Sequence, residues 1–110
     1  MMFDKFCIEK ILNGEKCVTR RLVKNNRRPA VPGHIHKLKI NRTSETFGKI
    51  LINSCTKEKL TDITDADAVK EGFTNKYDYF KYFMKINKID SIDCEVWRVR
   101  FTVIEKSEPQ

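Results

Sequence analysis

Apolar positions recur along this chain with two different periods, and the switches between them divide it into elements. Residues 3–14, FDKFCIEKILNG, carry Phe3, Cys7, Ile8, Ile11 and Leu12 at helical spacing. Asp4 suits the capping end and Gly14 the stop. From residue 17 the period drops to two. CVTRRL reads as a short strand with Cys17, Thr19 and Arg21 on one face and Val18, Arg20 and Leu22 on the other. VKNNRRPAVPG, residues 23–33, is a loop marked by Asn-Asn, two prolines and Gly33. HIHKLKIN, from residue 34, and TFGKILINSCTKEKL, from residue 46, read as two strands paired through the polar turn RTSE. Gly48 suggests a bulge at the head of the second.

The helical period then returns. DITDADAVKEGF, residues 62–73, predicts a short helix with Thr64 as cap, Asp65 and Asp67 in the first turn, and Gly72 at its end. TNKYDYFKYFMKIN, residues 74–87, predicts a longer one with Thr74 as cap and Tyr77, Phe80, Phe83 and Met84 as its apolar stripe. CEVWRVRFTVIE is the clearest strand. Trp97, Val99, Phe101 and Val103 form an apolar face, and Val96, Arg98, Arg100 and Thr102 a mixed one. Trp97 and Phe101 are expected in the core, packed by Phe80 and Phe83. The order of helix, three strands, two helices and a long strand predicts an α+β fold: a small β-barrel, mixed but mainly antiparallel, with helices covering its mouth.

A length of 110 residues fits one domain, expected over 1–106, with a frayed tail at 107–110. Charge changes the picture more than length does. The net charge is +7, and residues 16–44 contain nine Lys or Arg and no acid. Such a block points to an anionic partner. Its members are Lys16, Arg20, Arg21, Lys24, Arg27, Arg28, Lys37, Lys39 and Arg42. Arg20, Lys24, Arg27, Arg28, Lys37, Lys39 and Arg42 are expected to contact nucleic acid. Cys7, Cys17, Cys55 and Cys94 form no C-x-x-C pair, and three of them sit among apolar neighbours. They read as buried free thiols in a reducing cytosol. His34 and His36 have no third ligand near them in sequence and read as strand-edge histidines, so no metal or other cofactor is expected. Asp4, Lys5, Glu9 and Lys10 interrupt any signal-peptide core, and no apolar run could span a membrane. A cytoplasmic monomer with no membrane association is expected.

Two stretches carry more than fold. After the first helix, NGEKCVTRR presents Gly14, Lys16, Thr19 and Arg21 in the pattern G-x-K-x-x-T-x-R. Some fifty residues later the acidic helix ends in Glu71, Gly72 and Phe73. With the closing strand VWRVRF, these motifs resemble the ASCH domain, a PUA-like β-barrel family. The resemblance implies recognition of RNA or a modified nucleoside through a basic cleft. It also implies a second reading, because some small bacterial ASCH proteins are amidohydrolases that remove the acetyl group of N4-acetylcytidine. Carried over by position, Lys16, Thr19 and Glu71 would be the catalytic residues and Arg21 would bind or orient substrate. The chemistry is coherent, since amide hydrolysis needs a nucleophile, a base and a proton for the departing amine. Thr19 offers a hydroxyl, Lys16 an amine whose pKa desolvation or Arg21 would have to lower toward neutrality before it could take a proton, and Glu71 a carboxyl.

Blander readings stand beside these. Lys16 and Glu71 can be a plain ion pair, and Thr19 an ordinary strand residue. A different class of function is a basic protein-interaction module that uses the aromatic helix as its surface. Exposure of Tyr77, Tyr79 and Tyr82 separates that reading from a buried aromatic stripe.

Overall fold

The structure is a computed structural model and describes residues 1–107. The elements follow the chain in the expected order: α1 (Lys5–Leu12), β1 (Val18–Leu22), β2 (Ile35–Leu38), β3 (Gly48–Lys59), α2 (Asp65–Lys70), α3 (Lys76–Asn87) and β4 (Glu95–Lys106). A single 3-10 turn, Leu60–Asp62, joins β3 to α2. The four strands form one antiparallel sheet in the order β1-β4-β3-β2. The long strands β3 and β4 form its centre, and the short strands β1 and β2 its two edges.

The sheet does not close into the expected barrel. Closure would need β1 to pair with β2, but the N-terminal segment stands between them. Phe3 donates its amide to the Lys39 carbonyl at 2.8 Å, just past the end of β2. From the other edge Arg21 of β1 donates through Nη2 to the Met2 carbonyl at 2.8 Å. Two strands of five and four residues are also too short to wrap a barrel around the core they flank. The open sheet instead buries an apolar cluster on each face.

On one face Phe3, Ile8 and Ile11 of the N-terminal region pack on Ile50, Ile52, Trp97, Val99 and Phe101. The apolar alternation of β4 therefore faces α1, not the expected Phe80 and Phe83. Those two residues join Leu60, Ile63, Ala68, Tyr79 and Val96 in the second cluster, against the opposite face. Val96, placed with the mixed face by its neighbours, is fully buried there. The loop between β1 and β2 contributes as well, because its Ala30 is buried in the first cluster.

Local chemistry explains the ends of the elements. Asp4 caps α1, its side chain accepting from the Cys7 amide at 2.8 Å. Thr64 and Asp67 make a reciprocal capping box at the start of α2. Asn75, not Thr74, caps α3 by accepting from the Asp78 amide at 3.0 Å. Gly48 stands beside a register shift at Lys49/Ile50, and the Glu105 carbonyl lies where its Cβ would be. Its role is thus a close approach of two backbones. At the far end of β4, Ser107 still donates its amide to the Phe47 carbonyl at 3.1 Å, so the tail expected from 107 is held at its first residue. Its remainder, 108–110, lies outside the described residues. No helix among the described residues is long and apolar enough to cross a membrane.

Candidate functional site

Two turns aim the motif residues at each other. Past α1 the chain reverses at Gly14, whose φ of +84° suits glycine. The amides of Glu15 and Lys16 both bond to the Lys10 carbonyl, at 2.9 and 3.1 Å. Lys16 is thereby fixed directly before β1. From the other direction, α2 ends in a paired C-terminal turn. Phe73 donates to the Ala68 carbonyl at 2.9 Å and Gly72 to that of Val69 at 3.0 Å, with Gly72 at φ +98°. That turn leaves Glu71 at the end of α2, over the free edge of β1.

The two meet in a cleft of about 170 Å³. Lys16, Thr19, Arg20, Arg21 and Glu71 line it, with Asp4 at the N-terminal side and Phe73, Tyr79 and Tyr82 along an aromatic wall. Lys16 Nζ is ion-paired with Glu71 Oε1. Their side chains are only 4% and 1% exposed, so the pair is dry. Thr19 lies in the same cleft, 6% exposed, and among the described residues its hydroxyl is not hydrogen-bonded to Lys16 or Glu71. Arg21 lines the cleft on the strand face it shares with Thr19. Its guanidinium lies 4.8 Å from the Phe3 ring centre. Burial lowers its pKa, and the nearby Glu71 charge opposes that only in part.

The aromatic wall was not assigned from sequence. Phe73 packs at a tilt against Tyr79 and Tyr82 with ring centres 5.3 and 4.9 Å apart. Tyr79 is buried, and burial together with the adjacent Glu71 carboxylate raises its phenol well above the ordinary value. Tyr82 donates to Asp4 Oδ2 at 2.7 Å, joining α3 to the cap of α1 across the cleft. Burial and that bond raise the Tyr82 phenol too. Burial also pushes the Cys7 thiol, on the cleft wall, up to about 11. Tyr77 alone of the three tyrosines is largely exposed, and it is Tyr79 that joins Phe80 and Phe83 in the core. A helix with aromatics at 77, 79, 80, 82 and 83 offers two overlapping stripes, so period alone did not choose between them.

The basic block divides in two. Arg20, expected to reach nucleic acid, is buried and shared among acids: Nε meets Glu58 at 2.5 Å, Nη1 meets Glu71 at 3.4 Å and Nη2 meets Asp67 at 3.6 Å. Burial alone would lower its pKa, but the Glu58 bond and the charges of Glu71 and Glu58 outweigh that and raise it. Strand alternation placed Arg20 opposite Thr19. Its partners lie 38 to 51 residues further along the chain, where no local pattern could point to them. By contrast Lys24, Arg27, Arg28, Lys37, Lys39 and Arg42 make no ion pair among the described residues. All but Lys39, which is half-buried, are exposed.

The four cysteines are free. Cys55 is buried, Cys7 and Cys94 are half-buried and Cys17 is exposed, so the expectation of buried thiols holds fully at Cys55 alone of the four. His36, on β2, has its pKa lowered by burial, by the N-terminal amine and by His34. Among the described residues no three His, Cys, Asp or Glu side chains converge as a metal would require.

Comparison with known proteins agrees with the motifs. No curated protein matches the sequence. The ASCH domain of Lactobacillus crispatus superposes with a TM-score of 0.69 at 20% identity, over 96% of this chain and 77% of that one. A protein from Enterococcus faecalis superposes with a TM-score of 0.73 at 13% identity, over 100% of this chain and 85% of its own. At those identities the likeness is one of fold. The sequence profile of the ASCH domain matches residues 1–105, which is nearly the whole chain, and the protein belongs to the ASCH domain family.

Proposed function

We propose that this protein recognises a modified nucleoside, free or within RNA, with the base in the cleft of Lys16, Thr19, Arg21 and Glu71. The observation that carries the reading is the convergence of those four residues, from segments fifty or more apart, on one aromatic-walled cleft. A cavity that combines apolar walls with a few fixed polar groups is the usual form of a small-ligand site. Its cations are already balanced by acids or held by a carbonyl and a ring, so it favours a base over a phosphate. Phosphates of a longer RNA fall to the unpaired cations Lys24, Arg27, Arg28, Lys37, Lys39 and Arg42. Binding of single-stranded or structured RNA should then weaken steeply with salt, because each phosphate contact releases counterions. Reversing charge at Arg27 and Arg28 should weaken RNA binding and flatten the salt slope while the melting curve stays in place. Affinity that is absent at low salt, or indifferent to salt, removes the phosphate half of this reading.

The second reading is hydrolysis of an N4-acyl amide in the same cleft, favoured by the presence of Lys16, Thr19 and Glu71 together. Thr19 Oγ would attack the acyl carbon, and the bond to the exocyclic amine would break as that nitrogen takes a proton. Water would then cleave the acyl ester, release acetate and restore Thr19. An ammonium cannot accept the Thr19 proton, so Lys16 must first hand its own proton on. Glu71 is the group bonded to it. Incubating the protein with N4-acetylcytidine and following acetate and cytidine by mass spectrometry separates the two readings. Turnover that is lost in Thr19→Ala, with nucleoside binding kept, supports hydrolysis. Binding without acetate makes the cleft a recognition pocket. A protein that neither binds nor cleaves the nucleoside refutes both.

A further inference from the structure

Arg20 has a side chain only 1% exposed and touches carboxylates from three places in the fold. Glu58 comes from β3, Asp67 from the first turn of α2, and Glu71 from its C-terminal cap. The guanidinium therefore lies against Asp67 and Glu71, which stand four residues apart on one side of α2. Asp67 meets Arg20 through Oδ1, while its Oδ2 accepts from the Thr64 amide at 2.9 Å and hydroxyl at 3.1 Å. Each acid thus has a separate task, and only Glu71 is as deeply enclosed as Arg20 itself. Lys16 engages one oxygen of Glu71 and Arg20 the other. A carboxylate held by Lys16 alone could still rotate about its side-chain bonds. Held from both sides, it cannot turn away from the amine. A planar fork with donors in three directions does this, and a lysine at the same position could not.

We infer that Arg20 is a positioning residue for the cleft, fixing the Glu71 carboxylate so that one oxygen stays on Lys16, and that it makes no phosphate contact. The inference rests on the cleft being the ligand site, but its first test needs no ligand. In the proton–nitrogen spectrum of the lysine ammonium groups of the intact protein, Lys16 should give a persistent signal near neutral pH, assigned by its loss in Lys16→Arg. Arg20→Gln should abolish that signal, and Arg20→Lys should fail to restore it. Thr64→Ala loosens the start of α2 without touching the contact between Arg20 and Glu71, and should keep it. If Arg20→Gln does not fold, Glu58→Gln removes the nearest partner of Arg20, leaves Glu71 intact, and should weaken the same signal. A signal absent from the wild type, or unchanged in both Arg20→Gln and Glu58→Gln, overturns the inference and leaves Arg20 as a clamp on α2. The second arm is affinity for N4-acetylcytidine, which should fall in whichever of these variants loses the signal. A lost signal with unchanged affinity also overturns it, as does a flatter salt slope of RNA binding in Arg20→Gln. A wild type that binds no nucleoside removes the proposed function, while the ammonium signal still decides whether Arg20 fixes the pair.

Discussion

Phe101→Ala should lower stability by about 3–5 kcal/mol, read as a shift of the denaturant midpoint at unchanged slope. Phe101 is 2% exposed at the middle of β4 and sits opposite Ile52 of β3. Its ring lies 6.1 Å from that of Phe3, at a tilt of 59°, within the cluster built on Trp97, Val99 and Ile11. Truncation removes the ring from a site that cannot easily collapse. Strand neighbours fix it on two sides, and Phe3 is tied to Lys39 through its backbone. Arg100→Ala, one residue away at an exposed position, is the control and should change stability by no more than about 0.5 kcal/mol. A Phe101→Ala protein that unfolds with the wild type would mean that the apolar face of β4 is not the one packed under α1.

That face was legible in the sequence, whereas its partner was not. Alternation along β4 identifies Trp97, Val99 and Phe101 as one buried row, since a two-residue period allows no other reading of VWRVRF. Which helix covers the row depends on how the chain passes round the sheet, and period carries no information about that. The same limit explains the barrel. Four amphipathic strands are compatible with a closed or an open sheet. The choice falls to the lengths of β1 and β2 and to the N-terminal segment lodged between them, a contact made by backbone groups and Arg21. Ends of elements were readable where one residue had the right chemistry, as at Asp4, Thr64 and Gly72. Where Thr74 and Asn75 stood side by side, either could cap, and the helix begins one residue later than expected.

The candidate site divides in the same way. Lys16, Thr19, Arg21 and Glu71 were legible only through a motif resemblance, because nothing local says that residues 16 and 71 meet. Arg20, Tyr79, Tyr82 and Asp4 were not legible as cleft residues. In sequence Arg20 is one more member of a basic block, and only folding separates the cations with acid partners from those without. In sequence Asp67 reads as an acid in the first turn of α2, and in the structure one of its oxygens also completes the capping box with Thr64. Its second oxygen is what ties the cap to the cleft.

Glu71→Ala should be as damaging as loss of the core aromatic, about 3–5 kcal/mol, for an electrostatic reason. It strips Lys16, 4% exposed, of its ion-pair partner and takes one of three acids from Arg20. Arg20 keeps Glu58 and Asp67, so most of the cost falls on Lys16, left charged in a site that water barely reaches. The companion variant decides what the pair is for. Replacing both partners, as Lys16→Met with Glu71→Leu, removes the stranded charge and should recover most of the lost stability, because a well-packed apolar pair often matches a buried ionic one. The double-variant cycle should therefore show a large favourable coupling between the two positions. Equilibrium unfolding of the wild type, Lys16→Met, Glu71→Leu and the double variant measures it. A double variant near wild-type stability that no longer binds the nucleoside assigns the pair to recognition, since the fold does without it. A double variant no more stable than Glu71→Ala would make the pair a structural bolt between α2 and the edge of the sheet, and would count against the cleft as a site.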